Sequence, residues 1–178
     1  MWIEMKKLEN LDCTNKRIIV RVDLNVPVFE DKIIDRSRIL AILPTIKKLI
    51  KNKNKVFLVA HFGRPNGKEN KKYSIKFLCS ELKKILSLEV IHFLDNHEQK
   101  IIQTKISEMN FGEICLLENI RFNAEEEKND LNFAKLLASS FDIYINDAFS
   151  ASHRNHASIT GITNYLPSYA GFGFSKEI

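Results

Sequence analysis

Residues 56–65 read Val-Phe-Leu-Val-Ala-His-Phe-Gly-Arg-Pro, and this stretch decides the predicted fold. Its first half is five apolar residues, rich in β-branched and aromatic side chains, which is typical of a strand buried on both faces. Its second half is polar and contains a glycine and a proline, so it predicts a loop. The stretch therefore predicts a buried strand that delivers a histidine and an arginine to one edge of a sheet.

The same pattern, a short apolar run followed by an amphipathic segment, recurs along the chain. The other apolar runs cover residues 18–22, 90–93, 114–117 and 143–145. Helical periodicity lies between the runs. Strands that alternate with helices and are almost continuously apolar indicate a parallel sheet covered on both faces. We therefore predict an α/β fold: one open, doubly wound, Rossmann-like sheet with helices on both faces, forming a single domain.

The helix boundaries carry their own signals. One apolar stripe runs through residues 39–50, and Pro44 within it predicts a kink or a restart. Ser74 is a predicted N-cap for a second helix, and Asn129 or Asp130 for a third. A weaker helix is expected over residues 97–109.

Composition excludes several classes of protein. The chain has 178 residues, which suits one domain and does not accommodate two full ones. Its longest apolar run is far shorter than the ~20 residues that cross a bilayer, so we expect no membrane association. The amino terminus has no apolar signal segment, and three scattered cysteines are typical of reduced thiols. These features predict a cytoplasmic protein.

The formal net charge of +5 raises nucleic acid as a partner. Lysines are scattered along the predicted helix faces, however, and no dense basic stripe with interleaved aromatic residues appears. We therefore expect no nucleic-acid binding. Steep weakening of binding with salt would be the mark of that alternative.

Arginine is rarer than lysine, with seven residues, and its placement is informative. Arg64, Arg121 and Arg154 lie at or just past predicted strand ends, and Arg38 lies at a helix start. In doubly wound sheets, ligands bind beyond the carboxyl ends of the strands. Because a guanidinium grips phosphate or carboxylate through two parallel hydrogen bonds, these residues and His61 predict a site for a small polyanion.

Other polar residues have structural interpretations. Asp23 and Asn25 follow the first strand and suit hydroxyl groups of such a ligand. Arg17 and Arg21 are expected to form structural pairs. Asp147 is expected to cap a turn.

Some chemistries are not indicated by the sequence. His153 and His156 lack the cysteines or carboxylates that would complete a metal shell, so no metal is expected. No P-loop, no GxGxxG loop and no G-x-S-x-G motif occurs.

Taken together, several strings resemble the N-terminal domain of phosphoglycerate kinases, in that family's order and near its spacing. The matching strings are RVDLNVP (21–27), the Arg38 helix start with residues 43–46, HFGRP (61–65), LLENIRF (116–122), EEKND (126–130), NDAF (146–149) and HRNHAS (153–158). They cover almost the whole chain, and seven ordered matches are very specific.

The resemblance implies a glycolytic kinase that transfers a phosphoryl group reversibly between 1,3-bisphosphoglycerate and ADP. It implies that this domain binds 3-phosphoglycerate or 1,3-bisphosphoglycerate, and that Arg38 faces the transferred group as the catalytic residue. The substrate-binding residues that it implies are Asp23, Leu24, Asn25, Arg38, His61, Phe62, Gly63, Arg64, Arg121 and Arg154. Among these, His61, Arg64, Arg121 and Arg154 would grip the 3-phosphate.

The resemblance also predicts a division of the chain. Residues 1–172 would form the phosphoglycerate-binding N-terminal domain, and residues 173–178 would begin the interdomain helix. Mg-ATP or Mg-ADP would be held by a C-terminal domain that this chain does not contain, so we expect an inactive fragment of a monomeric enzyme with no cofactor of its own. The alternative is a complete anion-binding module without catalysis.

Overall fold

The structure is a computed structural model that describes residues 6–30 and 32–177. The predicted lack of a signal segment and the first residues of the predicted domain fall partly on residues 1–5, outside the described ranges. Across those ranges, no helix combines the length and the apolar character needed to span a bilayer.

Six parallel strands form the central sheet, which confirms the predicted fold class. The strands in chain order are β1 Arg17–Val22, β2 Val28–Phe29, β3 Lys32–Ile33, β4 Lys55–Val59, β5 His92–Leu94, β6 Ile114–Leu117, β7 Ile143–Asp147 and β8 Ser168–Ala170. The sheet has the order β5-β6-β4-β1-β7-β8, while β2 and β3 form a separate antiparallel hairpin. The five predicted strands are present, and β8 and the hairpin are additional.

The helices cover both faces of the sheet. They are α1 Ser37–Lys51, α2 Leu78–Ile85, α3 Gln99–Glu108, α4 Ala124–Glu127, α5 Leu131–Ala138 and α6 Phe172–Lys176. A first core cluster joins one face of the sheet, including Leu58, to α1 and α2. A second core cluster joins the other face, including Phe57, to α3 and α5. Since side chains alternate along a strand, neighbouring residues of β4 enter different clusters.

Two of the predicted helix boundaries differ in the structure. Helix α1 continues through Pro44 without a restart. The carbonyl of Leu40 loses its helical donor there, and that residue is exposed. The prediction that Ser74 caps the second helix is wrong, because α2 begins at Leu78 and the Ser74 hydroxyl donates to Glu118 Oε2 at 2.6 Å.

The other capping prediction is confirmed for one of its two candidates. The side chain of Asp130 accepts a hydrogen bond from the backbone N–H of Phe133 at 2.8 Å.

The order of the strands in the sheet determines where a ligand-binding crevice can form. From β1 the chain moves to β4 on one side, and it later returns to β7 on the other side. A crevice forms at such a reversal, beyond the carboxyl ends of the strands. The loops after β1, β4, β6 and β7 therefore meet above the middle of the sheet.

Candidate anion-binding site

One corner of the site is built around Asp23, which follows β1. Its carboxylate accepts hydrogen bonds from Arg38 at the start of α1 and from the hydroxyl of Ser150. The backbone N–H of Asn25 adds a third, at 3.1 Å. Burial acts to raise the pKa of Asp23, but these hydrogen bonds and the Arg38 charge outweigh it and lower the pKa to about 2. Asp23 is therefore a fixed anion that orients Arg38.

The loop after β4 is tied to the same corner. Oδ1 of Asn25 accepts a hydrogen bond from the backbone N–H of Gly63 at 3.0 Å. Gly63 has φ +59°, and a Cβ there would lie 2.5 Å from the ring of Tyr73, so glycine is required. Because its N–H is already used, Gly63 offers no free backbone donor to a ligand.

His61 is a buried neutral ring next to a buried cation. Nη2 of Arg21 lies 2.9 Å from Nδ1 of His61. A guanidinium can only donate, so Nδ1 accepts and the ring proton is on Nε2. Burial first, and then the charges of Arg21 and Arg121, lower the pKa of His61 to about 2. The ring thus provides a neutral N–H donor.

Two further arginines lie close enough to this ring for their charges to lower its pKa. Arg121 is 3% exposed, and its Nη1 donates to the carbonyl of Gly63 at 2.9 Å. Burial lowers the pKa of Arg121 because its effect outweighs the attraction of Glu127. The positive charge of Arg154 lowers this pKa further. Within the described residues, the Nε atoms of Arg121 and Arg154 are buried without a hydrogen-bond partner. Such guanidinium groups are ready for an anion.

Asn119 holds these loops in register. Its Nδ2 donates to the carbonyls of Phe62 at 2.7 Å and Tyr73 at 2.9 Å, while its Oδ1 accepts from the backbone N–H of Arg121 at 3.1 Å and of Phe62 at 3.3 Å. The side chain is fully buried with its hydrogen-bonding capacity used. Asn119 therefore fixes the loop after β4 against the loop after β6. Its position directly after a strand, within LLENIRF, is the signal that could have singled it out.

Three of the predicted site residues play lesser parts in this geometry. The side chain of Leu24 is fully buried in the first core cluster, so a ligand could reach only its backbone. The ring of Phe62 packs edge to face on Phe77, with centroids 5.6 Å apart. Arg64 is exposed and its side chain has no polar contact within the described residues.

Arg17, Arg21 and Asp147 were expected to have structural roles, and the structure agrees with this expectation only in part. Arg17 forms the expected pair with Asp142, at 2.6 Å. Arg21 contacts no carboxylate directly within the described part of the chain, so the expected ion pair is not found there. Asp147 accepts from the backbone N–H of Phe174 at 2.8 Å, so it anchors α6 instead of capping its own turn.

The cavity at the Asp23 corner of the site is smaller than some other hollows of the surface. A cavity of about 220 Å³ lies between Asp23, Arg38 and Ser150 and extends to Gly173 in α6. A larger hollow of about 500 Å³ is lined by Asp95 and His97 among others, but no arginine lines it. Charge and hydrogen-bonding capacity, not volume, therefore distinguish the anion site.

Comparison with known proteins agrees with this geometry. The family model described as phosphoglycerate kinase matches residues 8–178. A phosphoglycerate kinase of Coprothermobacter proteolyticus is 46% identical over 177 residues, which are 99% of this chain and 45% of that protein. One from Wolbachia pipientis subsp. Culex pipiens is 49% identical over 176 residues, with 99% and 44% covered.

Solved structures give the same result. The phosphoglycerate kinase of Coxiella burnetii is 34% identical and aligns with a TM-score of 0.86, over 97% of this chain and 43% of that chain. The enzyme from Pyrococcus horikoshii also aligns at 0.86, with 33% identity. The chain thus spans less than half the length of the relatives that it matches. On the family model, the curated relatives and the shared fold, this chain belongs to the phosphoglycerate kinase family.

Proposed function

We propose that this chain is the triose-binding part of a glycolytic kinase and binds 3-phosphoglycerate or 1,3-bisphosphoglycerate. The complete enzyme would transfer a phosphoryl group reversibly between 1,3-bisphosphoglycerate and ADP. The names of the relatives support the reaction class, and the anion site supports the ligand class.

The observation that carries the proposal is the pair of buried Nε atoms of Arg121 and Arg154, which have no hydrogen-bond partner within the described residues and whose charges act on His61. Burying guanidinium nitrogens in this way is costly unless an anion compensates them. The nearest carboxylate of Arg121 is Glu127, at 3.4 Å from Nε and 42% exposed. A phosphate at this point would satisfy the free donors of both arginines. Arg64, which follows His61 in the loop after β4, would complete the grip from the exposed side.

The other corner suits the carboxyl end of the triose. Asp23 is an acceptor for a hydroxyl, and Asn25 retains its amide N–H groups as donors. Arg38 is 42% exposed in its side chain, and its Nη1 is held by Asp23, so the rest of its fork faces outward. There it would offset the negative charge that develops on a transferred phosphoryl group, and this charge stabilisation is the main task of a protein in such reactions.

The remaining parts of the proposal concern the whole enzyme. Mg-ATP or Mg-ADP would bind outside residues 1–172, and α6 would begin the interdomain helix at residues 173–178. Closure of the two parts would then bring the substrates in line and expel water. We place the enzyme in the cytoplasm and expect it to be a monomer.

A thermal-shift titration tests the proposal. 3-Phosphoglycerate at 100 times its Kd should raise Tm by several degrees, since such saturation stabilises the folded chain by about 2.7 kcal/mol. ATP alone should have no comparable effect. The variant Arg121→Gln should lose the response, whereas Arg17→Gln, at the opposite end of β1, should keep it. No response to millimolar 3-phosphoglycerate, or an equal response to ATP, would overturn the proposal.

A further inference from the structure

Arg21 is the most deeply buried charge next to the anion site. It lies in β1, is 1% exposed, and points to the same face as Ile19 and its neighbours in the second core cluster. Burial, acting against the attraction of Glu126, lowers the pKa of its guanidinium. Keeping a cation here has an energetic cost that simple packing would avoid. Its three contacts indicate what it does.

Two of these contacts hold the guanidinium in place. Nη1 donates to the carbonyl of Val22 at 2.6 Å, and Nε donates to the hydroxyl of Ser158 at 3.0 Å. That hydroxyl in turn donates to Glu126 Oε1 at 2.7 Å, and the backbone N–H of Ser158 donates to Oε2 of the same carboxylate at 2.8 Å. Glu126 is fully buried, so a compensated network fixes the orientation of Arg21.

The third contact is with the site itself. Nη2 of Arg21 donates to Nδ1 of His61, which leaves Nε2 as the protonated nitrogen. While this hydrogen bond exists, the lone pair of Nδ1 is occupied, so the ring cannot take up a second proton there.

We propose that Arg21 is a positioning residue that fixes the tautomer of His61, so that its proton lies on Nε2 as a donor to the phosphate of the ligand. The role of His61 as a ligand contact rests on the proposed function. The hydrogen bond from Arg21 does not, because it is a property of the free chain. Arg21 acts through His61 and is itself held by Ser158 and Glu126.

The charges around His61 set the direction of any pH effect. Arg21 approaches from β1, Arg121 from the loop after β6 and Arg154 from the loop after β7, and Asp23 is the opposing anion. His156, half-buried, lies near Glu126 and not against His61, with Nδ1 at 3.7 Å from Oε1. Removing Arg21 deletes both a nearby cation and the donor to Nδ1. Both changes favour the protonated ring, so the pKa of His61 must rise.

Nuclear magnetic resonance of the ¹⁵N-labelled chain tests this assignment directly. In the wild type, the ring nitrogens of His61, identified with His61→Gln, should show a neutral ring with a proton on Nε2 from pH 5 to pH 8. In Arg21→Met burial still keeps the ring neutral, but the proton should no longer be confined to Nε2, and signals of the Nδ1-protonated tautomer should appear. Arg17→Met changes an arginine at the other end of the same strand and should leave the His61 signals unchanged. A proton confined to Nε2 in Arg21→Met, or a proton on Nδ1 in the wild type, would overturn the proposal.

Ser158→Ala provides a second route if Arg21→Met does not fold. It keeps the charge of Arg21 but removes the hydroxyl that holds Nε. The Nδ1-protonated tautomer of His61 should then become detectable, and a spectrum identical to the wild type would contradict the anchoring network.

Binding separates this proposal from the proposed function. At pH 8, Arg21→Met should bind 3-phosphoglycerate about tenfold more weakly than the wild type. The quantity to compare between pH values is the ratio of these two affinities. The ratio should be similar at pH 5.5, because burial keeps the ring neutral in both proteins and titration of the ligand cancels in it. An affinity of Arg21→Met equal to that of the wild type would contradict the role of Arg21. If the wild type does not bind 3-phosphoglycerate, the proposed function fails, while the spectra of the free chain still decide the state of His61.

Discussion

At the scale of single residues, the bond between Asp23 and Arg38 links stability to pH. The pKa of Asp23 is lowered to about 2 in the folded chain, so the folded state binds a proton less readily than the unfolded state. The stabilisation is therefore complete above the unfolded pKa near 3.8, and it is lost as the pH falls from there toward 2.

Asp23→Asn should remove this part of the acid sensitivity. Between pH 5 and pH 2.5, the free energy of unfolding of the wild type should fall by about 1–2 kcal/mol more than that of Asp23→Asn. Urea unfolding at the two pH values measures the difference. Asp12→Asn changes an exposed carboxylate outside the site and should follow the wild type. Parallel losses in Asp23→Asn and the wild type would show that Asp23 gains nothing from Arg38.

Single residues also show where prediction from sequence ends. Arg64, Arg121 and Arg154 were identified because polar residues after buried strands must lie at the sheet edge. Arg21 was interpreted as a structural pair because it lies inside a strand. Its position near the carboxyl end of β1 lets its long side chain reach the site, and only the sheet order shows that His61 is beside it.

At the scale of elements, α6 is fastened to the sheet by a buried carboxylate. Oδ1 of Asp147 accepts from the backbone N–H of Phe174, and Thr45 in α1 accepts from the backbone N–H of Phe172 at 2.9 Å. A Cβ on Gly171 would lie 2.5 Å from Cγ of Asp147. The close approach of strand and helix therefore depends on a glycine at that position.

This contact predicts non-additive effects of mutation. Gly171→Ala should destabilise the chain by about 2 kcal/mol through the clash with Asp147. In an Asp147→Ala background the same change should cost less, because Oδ1 and Cγ are gone and the contact that remains is with Cβ of residue 147, at 2.8 Å. Denaturant unfolding of the four proteins gives the coupling, and exposed Lys176→Ala serves as a control with little effect. Equal costs in both backgrounds would exclude the clash.

The strands that could not be predicted from the sequence are short or lie at the edge of the sheet. Strand β8 has three residues; within the described ranges it pairs with β7, and its Ala170 also forms an isolated bridge to Lys7. So short a segment shows no clear periodicity, and its pairing comes from the neighbouring strand. The two-residue strands of the hairpin are equally short. The five strands that were predicted are those whose burial leaves a continuous apolar run.

At the scale of the whole molecule, the site depends on a sheet that is packed on both faces. In β4, Leu58 belongs to the first core cluster and Phe57 to the second, where its ring packs edge to face on Phe141 at 5.1 Å. The loop that bears His61 begins directly after this strand. Loss of packing on either face should therefore affect the same loop.

Truncation of either residue should be strongly destabilising. Leu58→Ala and Phe57→Ala should each lower the free energy of unfolding by about 3 kcal/mol or more, because each side chain is fully buried and leaves a cavity. Leu40→Ala, at a position 53% exposed in α1, should cost well under about 1 kcal/mol. Guanidinium unfolding measures all three. A small effect of Phe57→Ala beside a large effect of Leu58→Ala would mean that only one face supports the sheet, and the doubly wound arrangement would then not account for the stability of the site.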